Sequence, residues 1–492
     1  MAAQETTIDR GAHPAVLAYL CIAMLVLLLM MVFGALMRME QAEFIAMGPM
    51  WFYELMTLHG AGMVGVAGIA GIAILWHFLG QYVRLSAPVF VANLVLFVAG
   101  VAMILAAVLG GNFHGGWTFL HPLPSKSMGT WSPNAAALFL GGMLVIGTGF
   151  LLLHLDIARA ILAREGGFGR ALGWPQLFGR AETAPPPPTI VAATMATIVN
   201  LIGIVAGAAI LSMMLVNLYF PDFGVDALLA KNLIYFFGHV FINATIYMAV
   251  IAVYEILPRY TQRPWKANRV FLASWTASTV LVLFIYPHHL LMDFAMPKWM
   301  LVMGHVVGYL NTFPILVVTA YGGLMLVYRS GIRWDMASGL LFVSLFGWSA
   351  GVMPAFIDGT IPVNYVMHNT LWVPGHFHTY LLLGMMTMVF GFLYYIGKSA
   401  REMRERLVDR AAFAVFVVAT LGFTLSFLSS GRSGAARRYA VHLPEWVPYD
   451  RIASVFAVLV VAAVAVFATR FLLRLPAASV DAPRATLAGS MT

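Results

Sequence analysis

The segment LWVPGHFHTYLLLGMMTMVF, residues 371–390, lies within an apolar run that is long enough to cross a membrane, and it carries His376 and His378. A helix that crosses a bilayer core requires about 20 consecutive apolar residues. At about 100° per residue, two side chains two positions apart on a helix point to nearly opposite sides. The segment therefore predicts a transmembrane helix wedged between two metal centres, each served by one of the two histidines.

The composition of the whole chain indicates a membrane protein. Hydrophobic residues occupy 61% of the 492 positions and charged residues only 10%, which is more apolar surface than a soluble core could bury. Apolar stretches of spanning length recur twelve times along the chain. They lie near 14–37, 50–79, 86–110, 134–155, 189–217, 229–257, 269–293, 299–327, 336–357, 364–397, 411–430 and 449–473. The sequence predicts an all-α polytopic fold with a single membrane-embedded domain over 1–492.

Positive charge predicts which loops face the cytoplasm, because Lys and Arg are retained on that side of the membrane. With a cytoplasmic N-terminus, the five inner loops carry 16 of the 28 Lys and Arg, the six outer loops 8 and the tails 4. The net charge of +8 thus follows the topology and indicates no nucleic-acid partner. The first apolar stretch is too long for a cleavable signal core, so we expect it to remain in a bacterial inner membrane.

One extended linker separates the fourth and fifth spans. It runs from Arg159 to the proline run at 185–188, which predicts a stiff extended entry into the fifth span. No other connection is long enough for a second soluble domain.

The chain has a single cysteine, Cys21, inside the first span. One cysteine excludes structural disulfides, thiolate clusters, a two-cysteine copper centre and the Cys-x-x-Cys-His attachment of a c-type haem. Any redox cofactor must therefore be held by histidine and packing, and electrons must arrive from another polypeptide.

Six of the fourteen histidines lie well inside predicted spans, where ionisable groups are costly and usually mark function. Counted from the outer ends of their helices, all six fall in the outer half of the membrane, within a band of about 15 Å. They are His59 in the second span, His239 in the sixth, His288 and His289 in the seventh, and His376 and His378 in the tenth. Their common depth predicts one shared site.

The motif Pro287-His288-His289 indicates a metal site. Proline loosens the helix, so two neighbouring imidazoles can converge on one metal, and His239 is the natural third ligand of a trigonal site that stays open. The three remaining histidines suit one six-coordinate and one five-coordinate haem iron.

At these motifs the chain resembles the haem-copper oxidoreductase superfamily, the catalytic subunit I of cytochrome c oxidases and their relatives. The resemblance covers nearly the whole chain. It rests on the twelve spans together with Leu58-His59-Gly60, Gly238-His239, Pro287-His288-His289 and the segment from His368 to His378. It implies that His59 and His378 bind a low-spin haem, His376 a high-spin haem, and His239, His288 and His289 a nearby non-haem metal.

Further elements of the resemblance lie in the outer loops. Arg437-Arg438 is similar to the paired arginines that hold haem propionates, and Trp117 lies in a segment similar to the outer loop after the third span. His368 matches a family histidine near the propionates. The acidic residue that normally follows it and binds a divalent ion is Asn369 here, so the resemblance does not carry a magnesium site over.

The chain departs from the oxygen-reducing members at one position. In the common oxygen reductases a tyrosine four residues after the sixth-span histidine supplies an electron and a proton; here this residue is Asn243. Another branch carries the tyrosine six residues before the histidine pair, where this chain has Val282. Splitting dioxygen in one step takes four electrons, whereas coupling two nitric oxide molecules takes two electrons and two protons. The sequence therefore favours a nitric oxide reductase.

Oxygen reduction is the alternative, because a tyrosine could have moved. Tyr247 lies eight residues after His239 on roughly the same face, and Tyr286 lies two residues before His288. A membrane transporter is a remote third reading that explains neither the common depth of the histidines nor the His-Phe-His motif.

The sequence defines the identity of the non-haem metal, the electron donor and the proton path less closely. Three imidazoles suit copper or iron, and the best-known nitric oxide reductases pair iron with a glutamate that this position lacks, so copper is favoured. The resemblance implies a second subunit with copper or a c-type haem, fed by cytochrome c or a cupredoxin. Polar residues that could line a proton path from the inner side are Thr245, Tyr247, Ser278, Thr279, Tyr309 and Thr312. Tyr53 and Glu54 could instead supply protons from the outer side.

Overall fold

The structure is a computed structural model, and it describes residues 13–400 and 405–473, without the side chains of 399 and 400. Within this part of the chain, twelve helices are long and apolar enough to cross a membrane, and we number them α1 to α12. They are Pro14–Gln41, Pro49–Leu79, Ala87–Gly110, Pro133–Glu165, Pro188–Tyr219, Ala227–Thr261, Arg269–Leu290, Lys298–Val327, Met336–Asp358, Trp372–Lys398, Leu407–Arg432 and Val447–Leu472. The predicted all-α fold with twelve spans is confirmed.

Local sequence sets where several helices begin. Proline, which lacks an N–H and has a preset φ, occupies the first positions of α1, α2, α4 and α5. Ser132 caps α4 by accepting from the Ala135 N–H, and Asp226 caps α6 by accepting from the Leu229 N–H. These signals fix the residue at which each of these helices begins.

The bundle closes on itself, since α1 packs against both α2 and α12, and α2 packs against α6. The most buried spans are α2, α6 and α10, whose most apolar windows are 78%, 83% and 83% buried, against 17% for α8. These three central helices carry four of the six candidate ligands. We call the side of the bundle at which α1 ends the outer side; its assignment to the cell exterior stays a prediction.

Two predicted boundaries were wrong at helix ends that carry charge. The first span was predicted to end at residue 37, but α1 extends to Gln41 and so includes Arg38. The fourth span was predicted to end near 155, but α4 extends to Glu165, which puts Arg159 on the helix rather than in the linker. Hydropathy misplaces such ends because a long cationic side chain can reach polar groups beyond the apolar core: Arg159 pairs with Asp156 at 2.6 Å.

The tenth span also differs from its prediction of 364–397. A separate short helix, Ile361–Met367, comes first, and α10 begins only at Trp372. The backbone between the two helices does not continue the helical hydrogen bonds, because the Leu371 N–H donates to the carbonyl of Ala435 at 2.8 Å. His368 therefore lies before α10, at the outer edge of the bundle.

The turn that carries His288 and His289 has the loosened geometry that Pro287 predicts. Regular helix in α7 ends at Phe284, and a 3₁₀ turn follows over Tyr286–Leu290. A second irregular segment, a π-helical stretch over Thr379–Met386, starts directly after His378 in α10. These two of the four irregular segments in the described spans lie beside candidate ligands, where such irregularities often occur.

Candidate redox site

One cavity of about 680 Å³ lies between the central helices, in the outer half of the bundle. All six predicted ligands line it: His59, His239, His288, His289, His376 and His378. The structure therefore brings together the histidines that share a predicted depth, and it places them around a single cavity.

At one end of the cavity, the imidazoles of His59 and His378 face each other, with ring centroids 6.2 Å apart and planes 17° from parallel. Nδ1 of His59 donates to the Met30 carbonyl at 2.7 Å, and Nδ1 of His378 donates to the Pro374 carbonyl at 2.7 Å. A carbonyl only accepts, so each Nδ1 holds its proton and each Nε2 keeps a free lone pair. Because a metal–imidazole bond is about 2 Å long, the facing rings are spaced for one metal ion between them.

His376 is anchored on the opposite side of α10. Its Nδ1 donates to the carbonyl of Gly351 on α9 at 3.0 Å, which again leaves Nε2 free. The helices can approach this closely because residue 351 has no side chain: a Cβ there would lie 2.6 Å from Cα of Tyr380. Glycine on α9 thus sets the position of the imidazole on α10.

At the other end of the cavity, the ligating nitrogens of His239, His288 and His289 all lie within 4.8 Å of one another. Nε2 of His239 is 2.9 Å from Nε2 of His288, and the three ring centroids are 4.2 to 5.0 Å apart. The 3₁₀ turn makes this possible, because it swings two adjacent histidines toward α6. Three imidazoles without a carboxylate are a donor set that suits copper, iron or zinc.

Asn243 lies one helical turn after His239 and contacts it. The Asn243 amide nitrogen donates to the His239 carbonyl at 2.9 Å and is 2.8 Å from Nδ1 of the His239 ring. The amide therefore borders the imidazole on the side away from His288. This chain therefore has a neutral amide at the position where the oxygen reductases that the sequence resembles have a phenol.

The two candidate tyrosines lie in different surroundings. Tyr247 lines the cavity, is 3% exposed, and packs its ring against Trp275 and Trp348. Tyr286 is not among the described residues that line the cavity, and its hydroxyl donates to the Asn232 side chain at 2.9 Å. The structure therefore brings only Tyr247 to the site.

Two arginines form part of the outer wall of the cavity. Arg437 donates to the side-chain oxygen of Asn369 at 3.3 Å, and Arg438 donates to the Thr118 hydroxyl at 3.3 Å. Burial, with a smaller contribution from the charge of Arg438, lowers the pKa of Arg437 to about 10. Arg437 is thus a charged donor at neutral pH in surroundings that favour a nearby carboxylate.

Trp117 fills the space between α2 and α6 at the same wall. A Cβ on Gly60 would lie 2.3 Å from the Trp117 ring, and one on Gly238 would lie 3.7 Å from it. The glycines next to His59 and His239 therefore leave room for the indole, which separates the main cavity from a smaller apolar cavity of about 130 Å³.

His368 has a carboxylate partner that the sequence analysis missed. Its Nδ1 donates to Asp358 at 3.1 Å, and its ring lies 5.8 Å from that of His289. Asp358 is the last residue of α9, ten positions earlier in the chain. An acidic residue at the end of an apolar span has no local signal of this role, since only the fold brings it to His368.

Arg38 is the second residue that was missed, because it was counted as a loop charge. It is 4% exposed, lines the cavity, and forms an ion pair with Asp450 of α12. Asp450 also accepts from Nδ1 of His442 at 2.6 Å. The Arg38 guanidinium lies over the Phe427 ring, and that ring stacks on His378. Nε of Arg38 has no hydrogen-bond partner among the described residues. An unpaired buried donor beside the facing histidines fits a bulky group with polar substituents.

Twelve membrane helices around a cavity that all six candidate histidine ligands line are the features of a membrane-embedded redox protein. The family model of cytochrome c and quinol oxidase polypeptide I matches residues 14–459. The chain therefore belongs to this family, subunit I of the haem-copper oxidoreductases. The family implies haem groups and a metal centre, and the free Nε2 atoms, the spacing of the facing imidazoles and the arginine pair fit such groups.

Individual relatives are distant. Cytochrome c oxidase subunit 1 of Thermostichus vulcanus is 26% identical over 72% of this chain and 62% of its own length. The subunit 1 of Synechocystis is 25% identical over 83% and 73%, and quinol oxidase subunit 1 of Bacillus subtilis is 22% identical over 73% and 54%. The chain thus spans less than two thirds of the first and third of these relatives.

A solved structure has the same fold. It is a haem-copper terminal oxidase dimer determined by cryo-electron microscopy, with a TM-score of 0.79 over 97% of this chain and 84% of that one. At 20% sequence identity, the likeness concerns the fold.

Proposed function

We propose that this chain is the catalytic subunit of a nitric oxide reductase, which couples two nitric oxide molecules to nitrous oxide and water. The observation that carries the proposal is Asn243, which occupies the position of the oxidase tyrosine and holds its amide against His239. Without a phenol there, the site lacks the extra electron that one-step splitting of dioxygen needs. Nitric oxide coupling needs only two electrons, which a haem iron and a second metal can supply.

The family resemblance assigns a role to each ligand, and the anchoring of the imidazoles supports these roles. His59 and His378 would hold a low-spin haem, His376 a high-spin haem, and His239, His288 and His289 a copper ion rather than an iron. When bound, these groups supply electrons and bind the gas. The chain keeps each haem-facing Nε2 unprotonated through a carbonyl bond at Nδ1, and Arg437 and Arg438 would hold the haem propionates at the outer wall.

Electron supply requires a partner, since the chain has one cysteine and can build no two-cysteine copper centre of its own. We infer a second subunit with copper or a c-type haem, docked at the outer side and fed by cytochrome c or a cupredoxin. The distribution of Lys and Arg supports a cytoplasmic N-terminus. We place the chain in a bacterial inner membrane, as a single membrane domain over 1–492.

Oxygen reduction to water is the second candidate, and the position of Tyr247 favours it. A buried phenol on the cavity wall could replace the missing tyrosine. Two of the named relatives are cytochrome c oxidase subunits and one is a quinol oxidase subunit.

The test uses the purified enzyme with its partner subunit, reduced by an artificial donor, with nitric oxide and oxygen consumption followed by electrodes. One nitrous oxide formed per two nitric oxide consumed, with slow oxygen uptake, is the expected result. Brisk oxygen uptake with slow nitric oxide loss would overturn the proposal. In that case a tyrosyl radical, detected by electron paramagnetic resonance after oxygen addition and absent in Tyr247→Phe, would identify the replacement tyrosine.

A further inference from the structure

The linker between α4 and α5 packs against α7 at the inner side of the bundle, opposite to the outer side. Its second short helix, Trp174–Leu177, provides the main contact. The Trp174 indole nitrogen donates to the Thr276 hydroxyl at 3.1 Å, and a Cβ on Gly173 would lie 2.7 Å from a methyl carbon of Leu272. The linker is therefore held along one face of α7.

Two arginines lie at the inner end of this contact. Residues 269, 272 and 276 are spaced by three and four, so Arg269 lies on the face of α7 that the linker covers. Its guanidinium reaches the linker, since a Cβ on Gly179 would lie 3.7 Å from Nη2 of Arg269, and Arg180 is the next residue. Both arginines are exposed, and neither has a hydrogen-bond or ion-pair partner among the described residues.

Positive charge is in excess around the two guanidiniums. The linker, residues 166–187, also contains Arg170, with Glu182 as its one acidic residue. The connection before α7 contains no acidic residue; it has the exposed Lys266, and Arg263, which donates to backbone carbonyls. Unpaired guanidiniums in such surroundings favour an anion with several oxygens, such as a phosphate.

Apolar side chains surround the same contact nearer to the bilayer centre. Trp174 and Phe178 are 42% and 62% exposed, and Val270 and Val280 on α7 are 63% and 53% exposed. Thr276, which fixes the indole, lies seven residues beyond the first residue of α7, about 10 Å along the helix axis. Cations at the membrane surface with aromatic and aliphatic side chains deeper in match the headgroup and acyl chains of a phospholipid.

We propose that Arg180 and Arg269 bind the phosphate of an anionic phospholipid in the inner leaflet, with an acyl chain along Trp174 and the exposed face of α7. The occupant is a lipid rather than free phosphate, because the apolar surface continues from the cationic one into the membrane. Bound lipid joins the linker to α7, the helix that carries His288 and His289. The inference holds for either gas, so it does not depend on the proposed function.

The test measures lipid binding to the delipidated enzyme with its partner subunit by native mass spectrometry. Phosphatidylglycerol and phosphatidylcholine with the same acyl chains are titrated separately; both contain a phosphate, but only the first carries a net charge. We expect phosphatidylglycerol to bind its tightest site about 25-fold more strongly, at about fivefold for each cation. Arg180→Gln and Arg269→Gln should each weaken that site about fivefold, and the double variant should lose the preference for phosphatidylglycerol.

Arg333→Gln is the matched control, since Arg333 is exposed in the inner connection between α8 and α9 and its loss removes the same charge. It should leave the affinity for phosphatidylglycerol unchanged. Equal weakening in all three glutamine variants would show attraction to net charge without a site and would overturn the inference. Equal affinity for the two lipids, or displacement of phosphatidylglycerol by millimolar inorganic phosphate, would overturn it as well.

Discussion

The two ends of the cavity hold their histidines by different means. At the end that we propose holds the haems, called here the haem end, Nδ1 of His59, His378 and His376 donates to the backbone carbonyls of Met30, Pro374 and Gly351 respectively. At the end formed by His239, His288 and His289, which we propose holds the non-haem metal and call the metal end, Nδ1 of His239 meets the side-chain amide of Asn243.

Because of this difference, substitutions act differently on the hydrogen bonds at the two ends. A carbonyl acceptor belongs to the backbone and survives most substitutions of its residue, so the haem end depends on helix packing. The partner of His239 is a side chain, so a single substitution can change the electrostatics of the metal end. We therefore expect differences in reaction chemistry to arise at the metal end while the haem end stays the same.

The largest effect is expected from ligand loss at either end. His289→Ala should remove the non-haem metal and keep both haems, whereas His378→Ala should remove the low-spin haem spectrum and keep the metal. Activity should fall by about three orders of magnitude or more in both, since each loses an essential group. Metal analysis and reduced-minus-oxidised spectra measure the two losses separately, and loss of both groups from either variant would show that the two ends do not load independently.

Substitution of Asn243 tests whether a side chain controls metal binding at the metal end. Asn243→Leu removes the amide from Nδ1 of His239, and we expect metal affinity to fall about 10- to 100-fold, as for other groups that orient a ligand. Copper and iron per polypeptide after dialysis against a chelator give the measurement. Asn232→Leu on the same helix, whose amide contacts Tyr286 instead, is the matched control. Equal metal retention in the two variants would contradict the role of Asn243.

The haem end can be disturbed through its backbone. In Gly351→Ala the new methyl group meets Cα of Tyr380 at 2.6 Å, so the Gly351 carbonyl must move relative to His376. We expect a shifted iron–histidine vibration of the high-spin haem by resonance Raman, with the metal content unchanged, and a loss of about 1–3 kcal/mol of stability from overpacking. Gly339→Ala on the same helix, where the methyl would lie 3.7 Å from Phe413, should show neither effect.

The smallest effect is expected far from both ends. Asp335 caps α9, pairs with Lys398 at 2.7 Å and accepts from the Tyr260 hydroxyl. Burial alone would raise its pKa, but Lys398, the Ser338 N–H and Tyr260 outweigh burial, and the pKa is lowered. Its stabilisation is therefore present above the ordinary aspartate pKa and is lost as the pH falls through the lowered value.

Asp335→Ala should lower the unfolding temperature at neutral pH by the equivalent of about 1 kcal/mol, the usual contribution of a helix cap. The difference from wild type should shrink in acid, and haem and metal spectra should not change. A difference that grows as the pH falls would mean that the carboxyl is stabilised in its protonated form.

Much of the architecture could be predicted from the sequence because a bilayer imposes a length and a polarity on every span. Twelve apolar runs required twelve helices, and Pro287 predicted the loosened turn beneath His288. The histidines stood out because an ionisable group inside such a run is costly, and their equal depth predicted a common cavity. All of these signals are local or depend on position along a helix.

Contacts between distant parts of the chain were decided only by the tertiary structure. Asp358 reaches His368 because the chain turns between α9 and α10, and Arg38 reaches Asp450 because α12 closes against α1. Tyr247 lines the cavity and Tyr286 does not, although Tyr286 is the nearer of the two to a candidate ligand in sequence. The sequence itself determined the spans and the candidate ligands, because hydropathy and helix geometry act along the chain. Which amide, carboxylate or phenol meets each ligand depends on side chains from other helices, and their packing has no local signature.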